Sequence, residues 1–311
     1  MDGFSTLPLP GCPPPLAQPG AQHTLASPIS CNGTGLHSGA PVCVRLVPAP
    51  AGSGIVFVRS DLGVAVPAQF DRVAETRLCT VLEQDGARVG TVEHLMAAFS
   101  GAGIDNVVVE VNGPELPILD GSAEPWLFLI GCAGVCSQHM PRGAIEVLRT
   151  VRVEAGKAFA ELRPRSYGQV GFDLTLSIEF AAAAIGRQAF SVSLQPESFA
   201  RDLARARTFT ERHEIEGLQA AGLARGGSLD NAIVVDGARV LNPAGLRMTD
   251  EFVRHKLLDV VGDLALAGAP LQGRFVGSRT GHALNNRLLH ALFADAGNWR
   301  MAGAAGLLLA A

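Results

Sequence analysis

Short apolar runs alternate with glycine, proline and asparagine along most of the chain. In the first half this pattern predicts strands over residues 42–47, 54–58, 78–82 and 107–111. It also predicts a helix over residues 91–98, which Thr91 can cap and which Gly101 and Gly103 end. A second helix should follow residues 120–122 and carry Trp126.

After a break in the apolar pattern near residues 138–143, the second half shows the same alternation of apolar runs and turn residues. The pattern predicts strands over residues 145–153, 159–162, 172–180 and 232–235, and helices over residues 196–204 and 250–267. The segment Val92-Glu93-His94-Leu95 resembles Val253-Arg254-His255-Lys256, so one histidine occupies a comparable place in each half. If the halves meet face to face, both imidazoles enter one cleft.

Composition narrows the function classes. The net charge is -4 and no basic run is present, which argues against a nucleic-acid binder. The longest apolar runs, residues 126–136 and 301–311, are shorter than the roughly 20 residues that span a bilayer. Residues 1–22 lack the pattern of an export signal and are expected to form a loosely packed arm. The six cysteines show no CxxC pairing, which favours free thiols and the cytoplasm.

His255 and Asp259 lie four residues apart on the predicted helix, so both can reach one metal ion. Spacing alone leaves open a plain histidine–aspartate pair on the helix surface. Glu93 and His94 are adjacent and point about 100° apart, so one can bind a metal while the other faces a water molecule. The alternative for Glu93 is an acidic residue that favours the helix dipole.

Three further segments carry candidate chemistry. His282 follows Gly281 beyond a strand, and Asp263 is the natural partner that keeps its imidazole protonated. Thr208 can donate a hydrogen bond to an oxyanion, and Lys256 can meet a substrate or lie in water. An exposed loop histidine is the alternative for His282. Phosphate loops of the Walker type, GxGxxG turns and GxSxG elbows do not occur in the sequence.

Together these segments resemble the UDP-3-O-acyl-N-acetylglucosamine deacetylases, the zinc enzymes of the committed step of lipid A biosynthesis. The resemblance extends from about residue 23 to 300. It is carried in order by GTGLHSG (33–39), ETRLCT (75–80), TVEHLMAA (91–98), GIDNVVVEVNGPELPILDGSA (103–123), RARTF (205–209), GGSLDNAIVV (226–235), DEFVRHKLLDVVGDLAL (250–266) and GHALNN (281–286).

The resemblance implies an α+β fold of two similar domains, with β-sheets outside, helices sandwiched between them and the active site at the domain junction. The domains would cover residues 23–140 and 141–311. An insertion near residues 210–231 would wall a passage for the acyl chain, although residues 210–214 are more charged than we expect there.

The resemblance also implies roles for single residues and one Zn²⁺ per chain. Zinc would be held by His94, His255 and Asp259. Glu93 would be the general base, and Thr208 would stabilise the oxyanion. His282, kept charged by Asp263, would protonate the departing nitrogen. Lys256 and Phe209 would bind the substrate.

The expected partner is a small molecule that carries UDP and a fatty acyl chain, and we expect a monomer without nucleic acid. A transient contact of the apolar residues 301–311 with a membrane surface is compatible with such a substrate. Two other functions stay open: a zinc amidohydrolase for another acetylated sugar or amide, and a non-enzymatic lipid- or nucleotide-binding module. Activity on UDP-acylglucosamine but not on free N-acetylglucosamine would exclude the first, and loss of activity on metal removal would exclude the second.

Overall fold

Two groups of β-sheets enclose a layer of helices. The computed structural model describes residues 20–166 and 169–303. The predicted α+β class is confirmed. The first half contains α1 (Glu93–Ala102), α2 (Glu124–Ala133) and the strands β1 (Ala21–Leu25), β2 (Ile29–Thr34), β3 (Pro41–Pro48), β4 (Ile55–Arg59), β5 (Val64–Pro67), β6 (Val73–Glu75), β7 (Val81–Gln84), β8 (Ala87–Val89), β9 (Val107–Val111) and β10 (Val135–Pro141).

The described residues of the second half form four α-helices: α3 (Pro196–Ser198), continued by a π-helical turn at Phe199–Leu203, α4 (Arg212–Ala220), α5 (Glu251–Ala265) and α6 (His282–Phe293). Its strands are β11 (Ala144–Val147), β12 (Val151–Ala155), β13 (Ala158–Arg163), β14 (Phe172–Glu179), β15 (Arg187–Leu194), β16 (Phe209–Glu211), β17 (Ile233–Asp236), β18 (Arg239–Val240), β19 (Leu271–Ser278) and β20 (Trp299–Ala302).

Each half has one large sheet. The first is five-stranded in the order β2-β3-β9-β4-β5, with β4 and β9 parallel and the other pairs antiparallel. The second is seven-stranded and is centred on β19, which pairs with β11, β13 and β14. Alternate residues of β3 and β14 are buried, so each strand turns one face toward the core.

The helices α1 and α5 meet in the middle of the molecule and share one hydrophobic core with both large sheets. Gly262 of α5 lies directly against Glu93, the first residue of α1. Glycine allows this approach, because a Cβ atom at this position would collide with the carbonyl oxygen of Glu93. This close approach brings the first turn of α1 beside the middle of α5. Glu93, His94, His255 and Asp259 all lie within that region.

Several predicted elements differ from the structure. The strand expected over residues 145–153 is two strands, β11 and β12, separated at residues 148–150. The helix expected at 91–98 runs from Glu93 to Ala102, and Thr91 does not cap it but takes a left-handed conformation with φ 57°. Gly103 ends this helix with φ 73°. Gly101 lies inside the helix, where Phe199 leaves no room for a side chain.

The strand expected at residues 78–82 begins only at Val81. Thr80 does not join the strand because its N–H group donates to Glu93 and its hydroxyl group donates to Asp263. The helix expected at 196–204 is a single turn followed by a π-helical turn. The pattern did not predict β15 or α6.

The predicted terminal segments lie mostly outside the described residues. Of the arm proposed for residues 1–22, only residues 20–22 are described, and the last two belong to β1. Of residues 301–311, Met301 and Ala302 end β20, and residues 304–311 lie outside the described ranges. Within the described ranges, five cysteines are free thiols: Cys31, Cys43, Cys79, Cys132 and Cys136.

Candidate active site

His94, His255 and Asp259 converge in a buried cluster between α1 and α5. Asp259 Oδ1 lies 3.7 Å from His94 Nε2 and 3.4 Å from His255 Nε2. One ligand atom from each residue lies within 4.8 Å of the others, and all three residues are buried. Two imidazoles and one carboxylate in this arrangement can hold a single metal ion and leave a fourth position open.

The second nitrogen of His255 and the second oxygen of Asp259 are already engaged. His255 Nδ1 lies 3.0 Å from the carbonyl oxygen of Ala206, so this nitrogen carries the proton and Nε2 is left as the ligand atom. Lys256 Nζ donates to Asp259 Oδ2 at 2.8 Å. Asp259 Oδ1 is buried without a hydrogen-bond partner in the described chain, and an unpaired buried carboxylate oxygen is costly. A cation bound between the three residues would satisfy it, so the residues fit a metal ion.

The protonation states also suit metal binding. Burial, with the neighbouring His255 second, lowers the pKa of His94 to about 3. Burial also lowers the pKa of His255. For Asp259, burial acts to raise the pKa, but the neighbouring His255 and Lys256 outweigh it and hold the pKa well below its usual range. At neutral pH both imidazoles are therefore neutral and the carboxylate is ionised, which are the forms that bind metals.

The pKa values of Glu93 and His282 are both raised above their usual range. Burial raises the pKa of Glu93 to about 7, against a lowering effect of the charge on His282. Burial alone would lower the pKa of His282, but the charge of Asp263 and the hydrogen bond with it outweigh burial and raise the pKa to about 9. Near pH 8 one group is thus anionic and the other cationic. Such a pair suits proton acceptance by one group and proton donation by the other.

His282 is fixed in place by α6. It is the first residue of that helix, after Gly281, and is therefore not the flexible loop residue that its position after a glycine suggested. Its Nδ1 lies 2.9 Å from Asp263 Oδ2. Asn285, one turn later on the same helix, donates to the same oxygen at 2.8 Å. Nε2 of His282 is therefore left to face the cleft.

The cluster opens into a cleft of about 740 Å³. Thr208 and Phe209 line it, together with Glu93, Lys256 and His282. The backbone N–H of Thr208 donates to the carbonyl oxygen of Gly121 at 2.8 Å, which places the threonine at the edge of the cleft. The structure thus brings all the sequence-predicted site residues together, with Asp263 behind His282.

The chain is similar to known proteins over nearly its whole length. The family model described as LpxC, UDP-3-O-acyl N-acetylglycosamine deacetylase, matches residues 22–294. The chain belongs to this family. A UDP-3-O-acyl-N-acetylglucosamine deacetylase of Anaeromyxobacter sp. (strain Fw109-5) is 50% identical over 280 residues, which cover 90% of this chain and 91% of the relative. One of Shewanella baltica (strain OS155) is 47% identical over 285 residues, covering 90% and 92%.

Membership of the deacetylase family agrees with a cluster that can hold a metal ion, since these proteins are metalloenzymes. Among the helices in the described ranges, none is long and apolar enough to cross a membrane.

Sequence reasoning missed several residues that support the deacetylase site. Thr80 and Asn285 donate hydrogen bonds to Asp263, and the buried Glu251 binds Arg207 beside Thr208. Thr80 and Asn285 stand inside the quoted motifs ETRLCT and GHALNN, so their positions carried a signal. Asn285 also follows His282 by three residues, which places both on one helix face. Nothing in the spacing connects residue 207 with residue 251, because their contact arises only in the folded chain.

Proposed function

We propose that this chain hydrolyses the N-acetyl group of UDP-3-O-(3-hydroxyacyl)-N-acetylglucosamine in the cleft between α1 and α5. The products are acetate and the free amine, and the reaction belongs to lipid A biosynthesis. The observation that carries the proposal is the buried cluster of His94, His255 and Asp259 beside a carboxylate and an imidazolium of opposite charge. The identity of the substrate is inferred from the family to which the chain belongs.

The metal in this proposal is Zn²⁺, held by His94 Nε2, His255 Nε2 and Asp259 Oδ1. Two histidines and one carboxylate form the ligand set of several catalytic zinc sites, whereas structural zinc sites are closed by four protein ligands. Zinc held there would lower the pKa of a water molecule from 15.7 to about 7 and polarise the acetyl carbonyl group.

Glu93 is the general base of the proposed mechanism. It is the first residue of α1, and its carboxylate accepts a hydrogen bond from the backbone N–H of Thr80 at 3.1 Å, which fixes one oxygen. The other oxygen is left to take a proton from the attacking water. A buried carboxylate with a pKa near 7 is a stronger base than an exposed one and is still ionised at neutral to mildly alkaline pH.

Thr208 and His282 act on the substrate after the attack. The hydroxyl group of Thr208 donates to the oxyanion that forms from the carbonyl oxygen when the carbonyl carbon is attacked. His282 gives the proton on Nε2 to the glucosamine nitrogen, so the carbon–nitrogen bond breaks with a neutral amine as the leaving group. Asp263 keeps the ring of His282 oriented through Nδ1.

The lining of the cleft suits a substrate with one charged end and one apolar end. Arg77, Lys256 and Arg279 supply cations for the diphosphate, while Phe180 and Phe209 supply an apolar wall. The wall continues into β16, α4 and β17, where β16 and β17 are parallel and α4 connects them. We place the acyl passage along this unit, within residues 210–231.

An acetate-release assay combined with metal analysis tests the proposal. We expect acetate from UDP-3-O-(3-hydroxyacyl)-N-acetylglucosamine, none from free N-acetylglucosamine, and loss of activity after chelation with recovery on adding Zn²⁺. Asp259→Asn should lower zinc content at limiting supply, because the ligand oxygen becomes an amide. Asp250→Asn, at the start of the same helix and paired with Arg254, is the matched control. Full activity after thorough chelation, or equal zinc content in both variants, would refute the proposed metal site.

A further inference from the structure

Thr80 occupies an unusual place between the two groups that move protons in the proposed function. It lies in the segment between β6 and β7, is 2% exposed, and belongs to neither helix of the cleft. Its backbone N–H donates to Glu93 Oε2 at 3.1 Å, and its hydroxyl donates to Asp263 Oδ1 at 2.6 Å. One residue thus contacts both the base and the carboxylate that orients the acid.

The contacts of Asp263 show what the hydroxyl of Thr80 does. An ionised carboxylate only accepts hydrogen bonds, and Asp263 accepts from Thr80, Asn285 and His282. Two neutral donors, one on each oxygen, therefore fix the plane of the carboxylate. With that plane fixed, the hydrogen bond to Nδ1 fixes the direction in which the ring of His282 points.

We propose that Thr80 is a positioning residue that sets the orientation of His282 relative to Glu93 through its hydroxyl bond to Asp263. The inference rests on the proposed function, because it assigns Thr80 a part in that reaction. A hydroxyl that merely satisfies a buried site would affect folding alone. A positioning hydroxyl affects turnover after substrate and metal have bound.

The test substitutes Thr80 by valine and by serine. Thr80→Val keeps the side-chain volume and the backbone N–H to Glu93, but removes the hydroxyl, whereas Thr80→Ser keeps it. We expect Thr80→Val to lower kcat about 10- to 100-fold, as the loss of an outer hydrogen-bond partner does elsewhere, with KM and zinc content unchanged. Thr80→Ser should stay within about threefold of the wild type. Thr175→Val, which removes a threonine hydroxyl bonded to Ser191 on the exposed face of β14, is the matched control and should change nothing.

A second readout needs neither metal nor substrate. The proton on Nδ1 of His282, bonded to a buried carboxylate, should give a downfield ¹H NMR signal, assigned by its absence in His282→Gln. We expect this signal to shift in metal-free Thr80→Val and to be retained in Thr80→Ser. The inference is overturned if Thr80→Val keeps wild-type kcat, if Thr80→Ser is as impaired as Thr80→Val, or if the signal is the same in all three proteins. A wild type that releases no acetate would refute the proposed function, and the NMR comparison would still decide the orientation of His282.

Discussion

The helices α1 and α5 each supply a histidine to the candidate metal site, but they are held in place in different ways. In α1, Glu93 is the only charged residue, and eight of the ten residues are buried. The helix starts after the left-handed Thr91 and has no side-chain cap. Apolar packing and the contact with Gly262 hold it in position.

The start of α5 is held by charged groups. Glu251, its first residue, is fully buried and accepts hydrogen bonds from Arg207 Nε at 2.8 Å, Arg207 Nη2 at 3.1 Å and the backbone N–H of Arg247 at 2.6 Å. We call Glu251 and Arg207 the buried clamp. The clamp ties α5 to residues 206–208, where the carbonyl oxygen of Ala206 orients His255 and Thr208 lines the cleft.

The charged residues of the two helices therefore differ in what they do: that of α1 takes part in the proposed reaction, whereas those at the start of α5 hold the helix in place. The single charge of α1 is the proposed base, so changing it should alter the reaction and leave the fold intact. The charges at the start of α5 are engaged in ion pairs, so changing them should alter stability and metal retention first. The two helices can therefore be told apart by which property a substitution changes.

The largest effect should follow Glu93→Gln. The amide keeps the volume but cannot take a proton, so we expect kcat to fall by about 10²- to 10⁴-fold. Zinc content and melting temperature should stay the same or rise, because a buried carboxylate is replaced by a neutral group. Acetate release and metal analysis measure both. Glu83→Gln, in an exposed pair with Arg88, is the control, and near-normal turnover of Glu93→Gln would remove Glu93 as the base.

Glu251→Gln should act on stability. It leaves Arg207 buried without a balancing charge, and loss of one partner of such a pair costs about 3–5 kcal/mol. Denaturant unfolding measures the loss, and zinc retention at limiting supply should fall with it because His255 is no longer held. Glu146→Gln, in an exposed pair with Arg300, should cost only about 0–1 kcal/mol. Equal losses in the two variants would show that the clamp does not support α5.

The sequence predicted the parts of this arrangement that depend on local periodicity or on the family motifs. α5 was expected at 250–267 and runs from Glu251 to Ala265, because its apolar face follows the helical period. β15 was missed, since its residues are all exposed or half-buried and it lies at one side of the sheet. α6 was missed because Gly281 and the polar residues 285–287 resemble a loop.

The supporting contacts of the site were beyond sequence reasoning for a different reason. Thr80 lies in an apolar run that predicts a strand. It is not part of β7 because it donates hydrogen bonds to Glu93 and Asp263, which are 13 and 183 residues away. The clamp joins residues 44 apart. No local pattern encodes such distances. The domain bounds near residue 140 and the acyl passage near 210–231 stay predictions.

The smallest effect concerns the pH dependence of activity, which depends on Glu93 of α1 and His282 of α6. The proposed mechanism needs Glu93 ionised and His282 protonated, and without metal their pKa values are about 7 and about 9, so the pH profile should have an acid limb and an alkaline limb. A bound cation favours the carboxylate, so the acid limb should lie below 7 in the zinc form. His282→Gln should lower kcat about 100-fold and abolish the alkaline limb. It should also move the acid limb upward, because the charge of His282 lowers the pKa of Glu93.

The substitution His282→Gln should also change how the free energy of unfolding depends on pH. The pKa of His282 is raised on folding from 6.5 to about 9, so its stabilising contribution is fully present below pH 6.5 and is lost as pH rises through 9. Between these values the unfolding free energy of the metal-free wild type should therefore fall more steeply than that of His282→Gln. His290→Gln, on the exposed face of the same helix, should follow the wild type. Parallel curves for wild type and His282→Gln would mean that Asp263 does not hold a proton on His282, and the acid would have to be sought elsewhere.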